Sequence, residues 1–348
     1  MVQRKPGRGG RAPVTKKTNL APQKHDEDAT PTGTQATNLQ QTCLEVFRNA
    51  LNPINHDPVA LQEVKGHLYK RDFASAFGRD EYLHVYAERW SPGRALGYLA
   101  VFTNIQEYIH STQPTDQQTA VVCLGGGAGA EVVALGAWLT TISSGQDNIK
   151  LHGSFVDLAS WSHVVSILHS QLITAPEISE YASDAARQSK KALLSPETYS
   201  ATFIQQDVLV WSDGDMSEVI HNGTKLVTLF FTLNELYTTS IPKTQHLLSQ
   251  LAAHLSPGSL ILVVDSPGSY STVQINGAEK KYPMQWLLDY TLLNKGKSSH
   301  ESAVDKEAKW DKIISEDSKW FRLPSGLRFP IKLENMRYQI HLYRRLAG

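Results

Sequence analysis

The sequence predicts an α/β fold: a mostly parallel sheet, closed by an antiparallel edge pair and preceded by an all-helical segment. Three observations predict it. From residue 120 onward, short apolar runs alternate with longer amphipathic stretches, as in parallel strands buried on both faces beneath crossover helices. The first run passes into "VVCLGGGAGAE" (121–131), a strand, four glycines in five positions and a helix start. The chain closes on "LRFPIKLENMRYQIHLYRRL", two β-patterned runs around Glu334, Asn335 and Met336 that read as an antiparallel pair.

Residues 1–40 precede that fold. They are rich in Lys, Arg, Gly, Pro, Thr and Gln, with almost no large apolar side chains. Too little surface can be buried to offset the ordering entropy, so a disordered basic tail is expected. Residues 41–115 turn helical. "QTCLEVFRNAL" puts Cys43, Leu44, Phe47 and Leu51 at helical spacing. "DPVALQEVKGHLYKRDF" opens with an aspartate cap and Pro58 in the first helical position. "DEYLHVYAERWSPGRALGYLAVFTNIQEYI" is expected to break at Ser91-Pro92-Gly93 and resume as an apolar helix. In the remaining domain, 116–348, strands are placed at 120–124, 150–156, 201–206, 225–231 and 259–264. Residues 295–318 are polar and charged and read as a loop or exposed helix. Tyr282, Trp286 and Tyr290 recur at helical spacing and are expected in the core, with substrate stacking as the alternative.

Composition narrows the function classes. With 348 residues, 41% of them apolar, a full core can form. The two cysteines, Cys43 and Cys123, are far apart. They exclude a disulfide framework and a cysteine-rich zinc site, and fit a reducing intracellular compartment. No apolar run approaches the ~20 residues of a membrane span, and no signal peptide is apparent, so a soluble protein is expected. The net charge of zero hides an asymmetry. Residues 1–20 hold six basic and no acidic residues, and residues 319–348 hold seven basic residues and only Glu334, leaving −12 for residues 21–318. Both basic ends suit an RNA backbone, or equally a solubilising tail and a solvated sheet edge.

The strand ends carry the candidate chemistry. Gly125, Gly127 and Gly129 let the backbone turn sharply and a ligand approach with no Cβ in the way. Packing of a helix on the sheet is the plain alternative. G-x-G-x-x-A is satisfied by Gly125, Gly127 and Ala130, so a dinucleotide stays open. A phosphate-cradling P-loop does not, because no Lys-Ser or Lys-Thr follows. Glu131 opens the next helix, where a carboxylate suits the dipole. Asp157 suits the hydroxyls of a ribose, or the cap of a helix near Ser160. Asp207 suits an adenine amine, or a turn. Thr232, Asn234 and Glu235 follow the fourth strand, where they line a ligand crevice or begin a helix. Arg89 and Arg94 flank the Ser-Pro-Gly stretch beside Trp90 and Tyr98. There they clamp a carboxylate or stack a base, or else lie on the surface around a core tryptophan.

The order of glycine loop, acidic second-strand end, D-V-L after the third strand and closing antiparallel pair resembles class I S-adenosylmethionine-dependent methyltransferases. That superfamily has a Rossmann-like, mostly parallel seven-stranded sheet. More narrowly, "ERWSPGRALGY" (88–98), "LGGGAGAE" (124–131), "FVDLASW" (155–161), "FTLNELY" (231–237) and "DSPGSYS" (265–271) resemble the fungal family that methylates N3 of a uridine in large-subunit (25S) ribosomal RNA. The resemblance implies S-adenosylmethionine as cofactor. Gly125, Gly127 and Gly129 would face its methionine portion, Asp157 its ribose, Asp207 and Val208 its adenine, and Arg94 its carboxylate. It implies ribosomal RNA or a pre-ribosomal particle as partner, in the nucleus, nucleolus or cytoplasm. A monomer without metal or membrane contact is expected.

Absent groups also constrain the reaction. Methylation at C5 of a pyrimidine needs a cysteine nucleophile, and neither Cys123, in the first strand, nor Cys43 is placed for it. The fourth strand lacks the Asn/Asp-Pro-Pro-aromatic run typical of exocyclic amine methylation. An endocyclic nitrogen or an oxygen acceptor fits better. The N3 of a uridine carries a proton that must leave. Glu235 is the expected base, with Asn234 as its orienting group. An inactive methyltransferase-fold scaffold or ribosome-assembly factor, and a nicotinamide-dependent oxidoreductase, are the competing readings.

Overall fold

The computed structural model describes residues 34–53, 57–110, 118–143, 149–175, 191–268, 270–275, 278–293 and 309–347. The expected basic tail lies outside them as far as residue 33, as does the polar stretch 295–308.

Four helices come first: α1 (Thr34–Leu51), α2 (Pro58–Tyr69), α3 (Phe73–Ala76) and α4 (Asp80–His110). Asp57 caps α2 by accepting from the amides of Val59 and Ala60 at 2.8 and 3.1 Å, with Pro58 leading the helix. The expected break at Ser91-Pro92-Gly93 does not occur: α4 runs through Pro92 for 31 residues. A proline inside a helix forfeits one hydrogen bond and costs about 3 kcal/mol. Both halves of α4 offset that loss by burial, through Tyr82, Leu83 and Val85 before the proline and Leu96, Phe102 and Ile105 after it. The Ser91 hydroxyl also donates to the Ala128 carbonyl at 2.6 Å, fastening this turn of the helix to the glycine loop.

The rest of the chain alternates as predicted: β1 (Thr119–Leu124), α5 (Ala130–Ile142), β2 (Leu151–Asp157), α6 (Ser162–Ile173), β3 (Tyr199–Gln205), α7 (Asp213–Val219), β4 (Thr224–Phe230), α8 (Leu233–Thr239), α9 (Ile241–His254) and β5 (Leu260–Asp265). A hairpin follows, β6 (Tyr270–Ile275) and β7 (Ala278–Pro283), then α10 (Met284–Leu292), β8 (Trp310–Phe321) and β9 (Met336–Arg345). Strand order in the seven-stranded sheet is β3-β2-β1-β4-β5-β9-β8. The first five are parallel, and β9 runs antiparallel between β5 and β8.

All six residues of β1 are buried, because helices cover both faces. Val121 and Cys123 pack in the layer built on α1, α4, α5 and α6. Val122 and Leu124 pack in the layer of α7, α8, α9 and α10.

The closing antiparallel pair exists, but its first member is misplaced by the sequence pattern. The partner of β9 is β8 at 310–321, mostly within the stretch expected to be loop or exposed helix, while 322–335 is not strand. As the sheet's edge, β8 leaves Ser315, Glu316, Asp317 and Ser318 in solvent and is bulged twice. Apolar alternation is therefore lost from its sequence.

Trp286 and Tyr290 are not core residues either, while Tyr282 is partly buried against the core. Trp286 and Tyr290 are 49% and 41% exposed and stack along α10, with centroids 4.9 Å from Tyr282 to Trp286 and 5.5 Å on to Tyr290. The buried face of α10 is carried instead by Met284, Leu287 and Leu288.

Candidate active site

The carboxyl ends of β1 to β4 open into a cavity of about 800 Å³, roofed by the α3 region and by α4. Gly125, Glu131, Asp157, Asp207, Val208, Thr232, Glu235 and Arg94 all line it. That volume suits a cofactor-sized ligand.

The three glycines divide their roles. Gly125 lines the cavity with φ +77°, a left-handed conformation, and Thr232 lies where its Cβ would be. Gly127 and Gly129 are not part of the cavity wall. A Cβ on Gly127 would overlap the Trp161 indole, 2.5 Å from Cγ, and come within 2.8 Å of Asp157 Oδ2. Gly129, φ +81°, precedes α5 and packs on Leu168. Close packing of helix on sheet accounts for these two.

Asp157 accepts from the Gly127 amide at 3.2 Å and the Ala159 amide at 3.1 Å. It thus clamps the glycine turn and shapes its own turn, while α6 begins later, at Ser162. Burial pushes its carboxyl up to about 6, against the pull of those amides. Asp207 accepts from the Leu209 amide at 2.9 Å, so it forms the turn and lines the cavity at once. Glu131, 3% exposed, accepts from the Thr228 hydroxyl at 2.9 Å, and burial pushes it up to about 8.

Helix α8 explains the split between the two expected catalytic residues. Thr232, Glu235, Leu236 and Thr239 recur on one helical face and line the cavity. Asn234 is rotated off that face and does not. Its amide donates to Asp265 Oδ2 at 3.0 Å, and its Oδ1 is buried without a partner among the described residues. Burial pushes the Glu235 carboxyl up to about 8, with Arg94 opposing and Asp265 and Asp157 adding to the rise.

The uninterrupted α4 likewise separates the arginines. Arg94 enters the cavity, donates to the Tyr86 hydroxyl at 2.6 Å and lies 4.7 Å over the Phe231 ring. Arg89 turns away to pair with Glu334 and to reach the Lys332 carbonyl. Phe231 has φ +55°, a strained conformation for a bulky residue, at the point where β4 delivers it to Arg94.

Two residues of this network were not foreseen. Tyr86 shares a helix face with Arg94 only if α4 passes through Pro92, so an expected break hid it. Asp265, 2% exposed at the end of β5, anchors α8 and lies within the motif "DSPGSYS". Cys43 and Cys123 are buried outside the cavity, and burial pushes the Cys43 thiol up to about 12.

The donor set fits S-adenosylmethionine. Several carboxyl groups and the guanidinium of Arg94, with Arg71 and Arg79 also in the wall, face a common space, matching a ligand that carries a sulfonium, an ammonium and a carboxylate. Asp157, which already takes the Gly127 amide of the glycine turn, disfavours a pyrophosphate there.

Residues 47–344 match the profile of a family described as "Putative SAM-dependent methyltransferase". A curated relative from Saccharomyces cerevisiae, named 25S rRNA (uridine(2843)-N(3))-methyltransferase, is 33% identical over 301 residues, covering 81% of this chain and 76% of the relative. Among solved structures, a SAM-dependent methyltransferase from Methanosarcina mazei aligns with TM-score 0.38 and 9% identity, over 69% of this chain and 97% of its own. An O-methyltransferase family protein from Burkholderia thailandensis aligns with TM-score 0.37 and 13% identity, over 86% and 73%.

Proposed function

The chain belongs to the S-adenosylmethionine-dependent methyltransferase family, and we propose that it methylates N3 of a uridine in large-subunit ribosomal RNA. The observation that carries this reading is Glu235 in the cavity wall beside Arg94, in a chain 33% identical to the yeast uridine-N3 enzyme. Bound in the cavity, the cofactor supplies an electrophilic methyl group carried on a sulfonium.

The chain's own residues bind, orient and move a proton. Gly125 makes the left-handed turn at the end of β1 and packs on Thr232, forming the wall that would receive the methionine portion. Gly127 acts through its amide, which holds Asp157 toward the ribose, and Gly129 through the close packing that positions the loop. Asp207 and Val208, in the cavity wall, would face the adenine. Arg94, held by Tyr86 and Phe231, takes the carboxylate of the amino-acid tail. The Glu235 carboxylate accepts the N3 proton of the uracil ring. A carboxyl near 8 is a far better proton acceptor than an ordinary glutamate, and it ionises close to neutral pH. Asn234 orients Glu235 through the backbone of α8, anchored on Asp265.

Two measurements test this. Nucleoside mass spectrometry of large-subunit rRNA from cells lacking the protein should show 3-methyluridine lost, and an unchanged profile refutes the substrate. In purified protein, Glu235→Gln should lower turnover by about 10²–10⁴-fold, with S-adenosylhomocysteine affinity preserved. Near-normal turnover removes Glu235 from the mechanism.

A further inference from the structure

Outside the cavity, one exposed side chain stands apart. Trp320 is 45% exposed at the end of β8, with the guanidiniums of Arg322 and Arg337 at 5.2 and 5.8 Å from its ring centroid. Arg337 is its cross-strand partner in the β8–β9 ladder. We propose that Trp320, flanked by Arg322 and Arg337, is a base-stacking platform for single-stranded RNA on the edge of the sheet at which the methyltransferase cavity opens. The proposal rests on the reading of the substrate as RNA.

Position supports it. β9 is antiparallel to β5 and pairs Gln339 with Asp265, the last residue of β5. Arg337 and Trp320 therefore project past the carboxyl edge of the sheet, the edge on which the cavity opens. The connecting segment 322–335 docks on the turn of α4 that supplies Arg94. A Cβ on Gly93 would lie 3.5 Å from the Glu334 carbonyl oxygen, while Gly97 packs on Phe321 and Met336, the strand residues that flank the segment.

Charge supports it as well. Residues 319–337 carry Lys319, Arg322, Arg328, Lys332 and Arg337 against the single acid Glu334. Glu334 is engaged by Arg89, and the nearby Glu316 by Lys319 at 3.1 Å. Arg337 gives its Nε to the Ser318 hydroxyl at 3.0 Å, and neither Arg322 nor Arg337 has a carboxylate partner among the described residues. Guanidiniums packed over a half-exposed indole set cations and a stacking surface together, as the alternation of phosphate and unstacked base in a single strand requires. Trp286, also exposed, stacks with Tyr282 and Tyr290 instead and has no such cations among the described residues.

The test uses the full chain and fluorescein-labelled 12-mer oligouridine, titrated by anisotropy, with a 12-base-pair RNA duplex as control. Trp320→Ala should weaken oligouridine binding about tenfold and leave the duplex unaffected, and Trp320→Phe should restore most of the loss. Arg322→Ala with Arg337→Ala should lower the slope of log affinity against log salt by about 0.7 for each phosphate no longer neutralised. If Trp320→Ala impairs S-adenosylhomocysteine binding, and so the fold, the arginine pair decides by its salt slope. Oligouridine affinity unchanged in folded variants, or no binding by the wild-type protein, overturns the platform. Trp320-dependent binding without methyl transfer to uridine would refute the proposed reaction and leave the platform standing. Methylation of rRNA with Trp320→Ala binding intact would do the reverse.

Discussion

Glu131→Gln isolates how burial governs the cavity's carboxyl groups. Glu131 lies in the first turn of α5, where the helix dipole favours the ionised form by about 0.3–1 kcal/mol. Full burial outweighs that and the Thr228 hydrogen bond, and holds the native carboxyl near 8, whereas the unfolded chain ionises near 4.5. Between those values the native state binds the extra proton, so stability is highest below 4.5 and is lost as pH rises through 8. From pH 5.5 to 7.5 this one group should remove about 2–3 kcal/mol. Glutamine cannot ionise, so urea denaturation of Glu131→Gln should show a pH dependence shallower by that amount. Its buried amide can add a cost of about 1–3 kcal/mol, but one independent of pH, so the slope and not the offset is diagnostic. Parallel curves for variant and wild type would refute the assignment of a buried, protonated Glu131.

Gly127→Ala forces a Cβ into Trp161 and Asp157. It should cost about 1–3 kcal/mol and weaken S-adenosylhomocysteine binding at least tenfold by calorimetry, and affinity within twofold of wild type would contradict this. Lys312 donates to Asp289 at 2.7 Å, and the Tyr343 hydroxyl donates to the same carboxylate at 2.6 Å, tying β8 and β9 to α10. Lys312→Met removes the cation from a carboxylate only 8% exposed and should cost about 3 kcal/mol in urea denaturation. A loss under about 1 kcal/mol would show that the remaining partners, Tyr343 among them, satisfy Asp289.

The parallel half of the sheet was legible in the sequence to within two residues at every strand end. The central strands β1, β4 and β5, covered on both faces, are almost wholly apolar and announce themselves, while β2 and β3 show as shorter apolar runs between turns. The cavity's floor followed from the same strands, since open parallel sheets converge at their carboxyl ends. Gly125, Asp157, Asp207 and Glu235 could therefore be named one strand at a time. Pairing across the edge could not be read this way. β8 has one solvated side and two bulges, so nothing in "WDKIISEDSKWF" distinguishes it from a loop until β9 lies beside it.

The sequence by itself determined the alternation of strands and helices, the glycine turn and the acids that follow the strands, because these depend on local spacing and side-chain chemistry. Only the tertiary structure decided which residues face the cavity. Pro92 signals a break, yet burial on both sides carries α4 through it, sending Arg94 inward to Tyr86 and Arg89 outward to Glu334. One step of helix rotation keeps Glu235 in the wall and takes Asn234 out of it. Local preference is worth under about 1 kcal/mol at most positions and about 3 kcal/mol at a proline, and the packing of a whole helix outweighs it.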